Sequence, residues 1–268
     1  MSGPASPGSP RVTITTRIER AQRSAAGDGV LLCVERTARG HVVQRLRRGE
    51  RLAPRVLDAG HDAVQACVLP TQAGPLSGDH DRVRIVVGAH ATLVVRPIAA
   101  TLALPGAART LLELDIAVGP GGRLVLAEPP LVVAAGADVE RSTRVTLAAG
   151  AVAALRDTVV LGRAGEPGGR LVSTLRVSDD DGVVLHDALR LAPATSSRDA
   201  HVSLAPGDRV VGTLCLLGLD PRGEQQYALA RGGALRRAAA GGLADLECVL
   251  AEPWTRWAQL VAPGTRDL

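Results

Sequence analysis

A unit of about thirty residues that occurs three times in succession constrains this chain most. Each unit contains an alternating strand, a glycine and a later leucine: Val83–Gly88 with Leu93, Leu114–Gly119 with Leu124, and Val145–Gly150 with Leu155. The glycines are 31 residues apart in both intervals, and so are the leucines. A fixed period made of strand–turn–strand units predicts stacked coils, in which each unit buries its apolar face against the next.

A degenerate fourth unit runs from Leu175 to Gly182, one residue out of step. The same pattern also fits unrelated hairpins with glycine turns in a β-sandwich. Strict alternation in Arg11–Ile18 adds a further strand signal. The prediction is a mainly all-β fold of helically wound or stacked strands that resembles a β-solenoid.

Helical signals lie only near the C-terminus. Residues 225–240 combine Ala, Leu and Arg, although Gly232 and Gly233 interrupt them, and Pro253–Leu260 fits a helix with proline in its first turn. About two short helices are therefore expected there. The Pro, Gly and Ser of residues 1–10 predict a disordered tail, followed by a single domain over 11–268 with a C-terminal appendage from about residue 220.

Composition argues against several classes of protein. All 31 basic residues are arginine, but the net charge is only +4, and the chain has 2 Trp, 1 Tyr and no Phe with which to stack bases. Charged residues interrupt the most apolar stretch, Val83–Leu104, so it does not fit a membrane-spanning helix. Cysteines 33, 67, 215 and 248 lack a C-x-x-C spacing and are expected to be buried, small apolar residues in a reducing compartment. We therefore expect a cytosolic protein that binds neither nucleic acid nor membrane.

Two clusters of acidic residues could carry chemistry. Asp79, His80 and Asp81 could ligate nickel or zinc, but consecutive residues of an extended chain alternate in direction, so only the two aspartates share a side. The alternative is a loop in which an aspartate caps backbone N–H groups. Asp179–Gly182 reads as a hairpin turn rather than a pair of catalytic carboxylates. The histidines lack cupin or H-E-x-x-H spacing, although they could converge in space, so the prediction is a protein that is not an enzyme.

The order of several motifs resembles the urease accessory protein UreD family, also called UreH, in the divergent form of high-GC actinobacteria. Five segments carry the resemblance: Ala73–Asp79 before Val83–Gly88; Val95–Gly106; Glu128-Pro129 with Arg141–Gly150; Val159–Arg163 with Gly165-Glu166 and Gly169–Leu171; and Asp181–Asp187 with Leu191. The resemblance covers about residues 30 to 260.

The resemblance implies a largely β fold with helical winding and about two helices. It also implies a maturation chaperone that docks apo-urease and the accessory proteins UreF and UreG, and that helps deliver nickel through a polar internal passage. No tightly bound cofactor is implied, only transient nickel. Such a passage needs carboxylate, carbonyl and water ligands that bind weakly enough to release the ion.

The predicted residues form two groups. The candidate lining of the nickel passage is Asp79, Asp81, Glu128, Glu166 and Asp187, and the candidate structural or partner-binding residues are Gly78, Arg163, Trp254 and Trp257. Arg163 is expected to pair with an internal acid rather than to contact nickel, since a cation repels nickel. Two other functions stay open: a non-catalytic all-β module that binds carbohydrate or protein, and a metalloenzyme with convergent histidines.

Overall fold

The computed structural model describes residues 29–192, 204–205, 207–221 and 227–264. These residues form two facing β-sheets and one helix against the outer side of the second sheet. The prediction of a mainly β fold is confirmed. The predicted tail, residues 1–10, and the alternating segment Arg11–Ile18 lie outside the described residues, and the single-domain boundaries stay a prediction.

Strands are numbered in chain order. In the described part of the chain, the first sheet contains β1 (Val30–Thr37), β2 (Gly40–Arg47), β5 (His80–Val87), β8 (Thr110–Val118), β11 (Asp138–Leu147), β13 (Arg170–Asp179) and β14 (Gly182–Leu191). The second sheet contains β3 (Leu52–Ala59), β4 (Val64–Pro70), β6 (Thr92–Val95), β7 (Thr101–Ala103), β9 (Arg123–Ala127), β10 (Leu131–Val133), β12 (Val152–Leu161), β15 (Val210–Leu217), β16 (Tyr227–Ala228) and β17 (Gly233–Ala240).

The centre of each sheet is parallel. The first sheet has the order β14-β13-β11-β8-β5-β1-β2, and the second has β16-β17-β15-β12-β9-β6-β4-β3. In addition, β10 pairs with β12, and β7 pairs with β10. The chain alternates between the sheets from β4 to β13, so successive coils stack in parallel, as in a β-solenoid. Antiparallel hairpins, β1–β2, β3–β4 and β13–β14, close the two ends of the stack. The last of these turns at Asp179–Gly182, which confirms the predicted hairpin turn.

The 31-residue period is correct for the first interval only. Val83 pairs with Leu114 and Leu93 with Leu124, both at a separation of 31 residues. In the next coil, Val145 pairs with Ile116, a separation of 29 residues. A shift of two residues keeps every side chain on its own face, so the alternating pattern could not distinguish the two registers.

Glycine permits the close stacking of the turns. A Cβ atom on Gly119 would lie 3.0 Å from backbone atoms of both Gly88 and Ala89 in the coil below. The backbone cannot move away without breaking the Gly119 N–H bond to the Val87 carbonyl, at 2.7 Å. Glycine is therefore needed at this position because the coils are too close for a side chain, and not because of an unusual backbone angle.

The helix α1 (Leu243–Val261) covers the outer face of the second sheet. Leu246, Leu250, Trp254 and Trp257 lie on its buried side and pack against the outward residues of that sheet. This spacing of three and four residues gives an amphipathic helix. Arg123 on β9 donates to the carbonyl of Val261 at 2.9 Å and satisfies an acceptor of the last turn.

Two details of the predicted helices are wrong. The described part of residues 225–240 forms strands β16 and β17 rather than a helix. Pro253 lies inside α1 instead of in its first turn, because the helix begins ten residues earlier. Proline inside a helix costs about 3 kcal/mol, and burial of the apolar side offsets that cost. Among the residues described, α1 is the one helix.

The cysteines agree in part with expectation. Cys33, Cys67 and Cys215 are buried, whereas Cys248 is exposed on α1. Burial raises the pKa of the Cys215 thiol to about 12, so that cysteine behaves as a small apolar residue. Within the described ranges, no helix combines the length and the apolar character that crossing a membrane requires.

Candidate functional site

A band of polar side chains crosses the interior between two apolar layers. Along β11, Val139 belongs to one layer and Val145 to the other, with Arg141 and Thr143 between them. We call this band the polar row, and it comprises Glu128, Arg141, Thr143, Asp157, Ser173, Asp187, Thr213 and Arg237. Strand register aligns these positions from strand to strand.

Arg141 joins the two sheets at the centre of the polar row. Its side chain is about 6% exposed and donates to both carboxylate oxygens of Asp157 on the opposite sheet, one of them at 2.6 Å. Its Nε also donates to Ser173 Oγ at 3.1 Å. A bidentate guanidinium–carboxylate pair has a fixed geometry, so this contact sets the local distance between the sheets.

A second ion pair lies further along the polar row, and here the acid is on the first sheet and the arginine on the second. Asp187 comes from the first sheet and Arg237 from the second, and they form a bidentate ion pair with one contact at 3.3 Å. The Arg237 Nε donates to Thr213 Oγ at 3.0 Å. Asp187, a predicted site residue, is thus held by a guanidinium inside the fold.

Glu128 differs from the other acids of the polar row. It follows β9, and its backbone N–H donates to the Arg156 carbonyl at 2.9 Å. In the described ranges, no guanidinium lies within ion-pair distance of its carboxylate. Burial raises the pKa of Glu128 to about 7; the positive charge of Arg141 opposes this increase, and the negative charge of Asp157 adds to it.

Asp79 and Asp81 lie together at the start of β5. Arg51 contacts Asp79 at 3.0 Å and Asp81 at 2.9 Å. Asp79 also accepts the Leu76 N–H at 2.8 Å, so it caps the loop as the alternative interpretation proposed. Burial raises the pKa of Asp81, although Arg51 opposes that effect.

Three cavities share lining residues, and the third opens at the surface, since Tyr227 in its lining is 57% exposed. The first, about 140 Å³, extends from Asp81 to Glu128 and Arg141. The second, about 40 Å³, begins at these last two residues and reaches Asp187 and Arg237. The third, about 560 Å³, shares Asp187 and Arg237 with the second. Three of the five predicted acids, Asp81, Glu128 and Asp187, thus line these cavities. A fourth, Asp79, lies beside the first cavity through its contact with Arg51.

Glu166 lies elsewhere, in the turn that follows β12. Its carboxylate accepts from the side chain and the backbone N–H of Arg163, which hold the pKa of Glu166 at about 2. Arg163 therefore pairs with an acid as expected, but at the surface rather than in the interior, since its side chain is 57% exposed. Gly78 has a φ of 86°, which favours glycine, and marks the turn before Asp79.

Both tryptophans are buried in the contact between α1 and the second sheet. Trp254 is 6% exposed and Trp257 is 1% exposed. The structure therefore gives them a structural position, and neither presents a free ring on which a sugar could stack.

Comparison with known proteins identifies the family. Residues 27–258 match the family model for the UreD urease accessory protein. The chain belongs to the UreD family. It is 36% identical to urease accessory protein UreD 1 of Streptomyces griseus over 209 residues, which cover 76% of this chain and 80% of that protein. It is 34% identical over 232 residues to UreD of Parafrankia sp., with 78% and 77% covered, and 32% identical over 234 residues to UreD of Streptomyces avermitilis, with 86% and 89% covered.

Metal-ligating side chains of this UreD-family chain are dispersed. No group of three or more His, Cys, Asp or Glu side chains in the described ranges is placed to hold a metal ion. The histidines left open as convergent ligands form no such group in the described ranges: His41 bonds to the backbone carbonyl of His61 at 2.8 Å, and His80 contacts Glu113 at 3.3 Å. His201 lies outside the described residues.

The sequence analysis of this UreD-family chain missed Arg141, Asp157 and Arg237 as parts of the site. A signal for the first two was present, because Arg141 has the same parity as the buried Val145, and Asp157 the same parity as Leu155. A charged residue at an inward position of a strand is uncommon unless it is paired. Their pairing across the sheets could not be inferred without the register.

Proposed function

We propose that this chain acts in urease maturation as a non-catalytic accessory factor, and that nickel is its cargo. Membership of the UreD family supports the maturation role. The line of cavities through the polar row supports a passage for a cation, because carboxylates border it from Asp81 through Glu128 to Asp187. We propose docking to apo-urease and to UreF-type and UreG-type proteins from the family resemblance, and a cytosolic location stays a prediction.

The chemistry of the interior suits transit of a divalent ion. Aliphatic walls formed by residues such as Leu126 and Leu155 offer no strong ligand, and the carboxylates are spaced along the route. Arginines neutralise most of these carboxylates, which weakens their attraction for a cation. Weak, repeated binding is the condition for a site that an ion both enters and leaves.

The test is the nickel content of urease from the parent organism with this gene intact, deleted or restored. We expect deletion to leave urease expressed but poor in nickel, and the restored gene to return nickel and activity. Restoration with Glu128→Gln or Asp187→Asn should leave nickel low, whereas Glu140→Gln, an acid on the outer face of β11, should restore it fully. Unchanged nickel after deletion would contradict the maturation role.

Copurification tests the docking proposal. A tagged chain should retain UreF-type and UreG-type proteins and apo-urease from the same cells. Retention of glycans with none of these proteins would instead favour the carbohydrate-binding module.

A further inference from the structure

Arg141 stands at the junction of two cavities. It lines both the first and the second cavity, as does Glu128. Its guanidinium is bonded to Asp157 and Ser173 and is nearly inaccessible to solvent. The second cavity is the smallest of the three, at about 40 Å³. A cation moving along the line of cavities would therefore meet a resident positive charge where the smallest cavity adjoins the first.

The charges around this point favour a divalent replacement. Asp157 is ion-paired with Arg141, and the Glu128 carboxylate lies in the field of both residues. With both acids ionised, the guanidinium leaves one negative charge uncompensated, whereas a divalent ion in its place would compensate both. A monovalent ion would only reproduce the charge of the guanidinium, so it gains nothing to offset its loss of hydration.

We propose that Arg141 is a specificity-determining residue that holds the place of a divalent cation between Glu128 and Asp157, and that nickel passes only by displacing this guanidinium. This inference rests on the proposed passage of nickel. In the resting state the ion pair closes the line of cavities and keeps the sheets together. Displacement breaks hydrogen bonds and ionic contacts only, with no covalent step.

The outer face of the first sheet offers a matched control. There Arg109 contacts two carboxylates, Asp138 at 3.2 Å and Glu140 at 2.9 Å, but its side chain is 42% exposed. Removing Arg141 leaves Asp157 without its ion pair beside the unpaired Glu128, whereas removing Arg109 frees two acids that are 35% and 49% exposed. Charge interactions in water are several-fold weaker than in the interior, so only the interior substitution should create a strong cation site.

The experiment measures the affinity of the full-length chain for NiCl2 by calorimetry at about pH 8, where Glu128 is mostly ionised. We expect Arg141→Gln to bind nickel at least about tenfold more tightly than the wild type, a gain of ~1.4 kcal/mol. Arg141→Lys should gain less, because its charge remains. Arg109→Gln should bind like the wild type, and Arg141→Gln combined with Glu128→Gln and Asp157→Asn should lose the gain.

Unchanged affinity in a folded Arg141→Gln chain, or a gain that persists in the triple variant, would overturn the inference. Circular dichroism identifies the variants that fold, and if Arg141→Gln unfolds, comparing Arg141→Lys with the wild type gives the same test with a smaller expected gain. Failure of the maturation role can be distinguished from failure of this inference. The first would appear as unchanged nickel in urease after gene deletion, and the second as unchanged nickel affinity in the Arg141 variants.

Discussion

The apolar layer around Leu124 and the polar row lie in the same coils and yet are packed by different means. Leu124 stacks on Leu93 and is fully buried, and its layer consists of aliphatic side chains from both sheets. On β11 and β12, which contribute Val145 and Leu155 to the same layer, Arg141 and Asp157 span the space between the sheets, and cavities remain beside them. Non-directional packing fills space, whereas directional ion pairs hold two surfaces apart.

The largest effect is expected from breaking the central pair. Arg141→Ala leaves Asp157 inside the fold without its guanidinium and should lower the free energy of unfolding by about 3–5 kcal/mol, measured by urea denaturation. The double variant Arg141→Met/Asp157→Leu should recover most of this loss, because apolar residues of similar size replace the pair. If it recovers stability and nickel delivery as well, the polar row is structural only.

A substitution in the apolar layer around Leu124 should lower stability nearly as much as one in the polar row, but it should not impair nickel delivery. Leu124→Ala removes a fully buried side chain and should lower the free energy of unfolding by about 2–5 kcal/mol. Urease nickel should fall only in proportion to the amount of folded chain, quantified by immunoblot. Loss of nickel at normal chain levels would show that the apolar layer takes part in delivery.

A smaller, pH-dependent effect is expected at Glu128. Its pKa is about 7 in the folded chain, against about 4.5 in an unfolded one. Its contribution to stability is therefore fully present below about pH 4.5 and is lost as the pH rises through 7. Glu128→Gln should be more stable than the wild type by roughly 1–3 kcal/mol at about pH 8, and by little at about pH 5. Urea midpoints across this range test it, and a difference that is constant with pH would contradict it.

The smallest effect is expected on the outer face. Glu140→Gln breaks one exposed contact to Arg109 and should change the free energy of unfolding by less than ~1 kcal/mol, an effect that 0.5 M salt reduces further. Thermal unfolding at two salt concentrations measures it. A change as large as that of Arg141→Ala would mean that burial does not distinguish the two ion pairs.

The sequence predicts the stacking of the coils well because alternation and glycine spacing are local patterns. It does not predict the register of Val145, since a two-residue shift leaves the alternation unchanged. The position of Asp187 inside the fold follows from alternation, but its arginine partner is 50 residues away in sequence and on the other sheet. Glu166 illustrates the reverse case, because an acid in a plausible motif pairs with its neighbour at the surface.

The hairpins at both ends of the stack give the molecule a fixed length in one direction. Neighbouring strands are about 4.8 Å apart, so the four steps from β5 through β8, β11 and β13 to β14 span about 19 Å. The number of coils thus determines this length, and removing one coil would shorten the distance between Asp81 and Asp187 by about 5 Å. The separation between Asp81 and Asp187, along the proposed passage, is then set by the number of coils rather than by loop length.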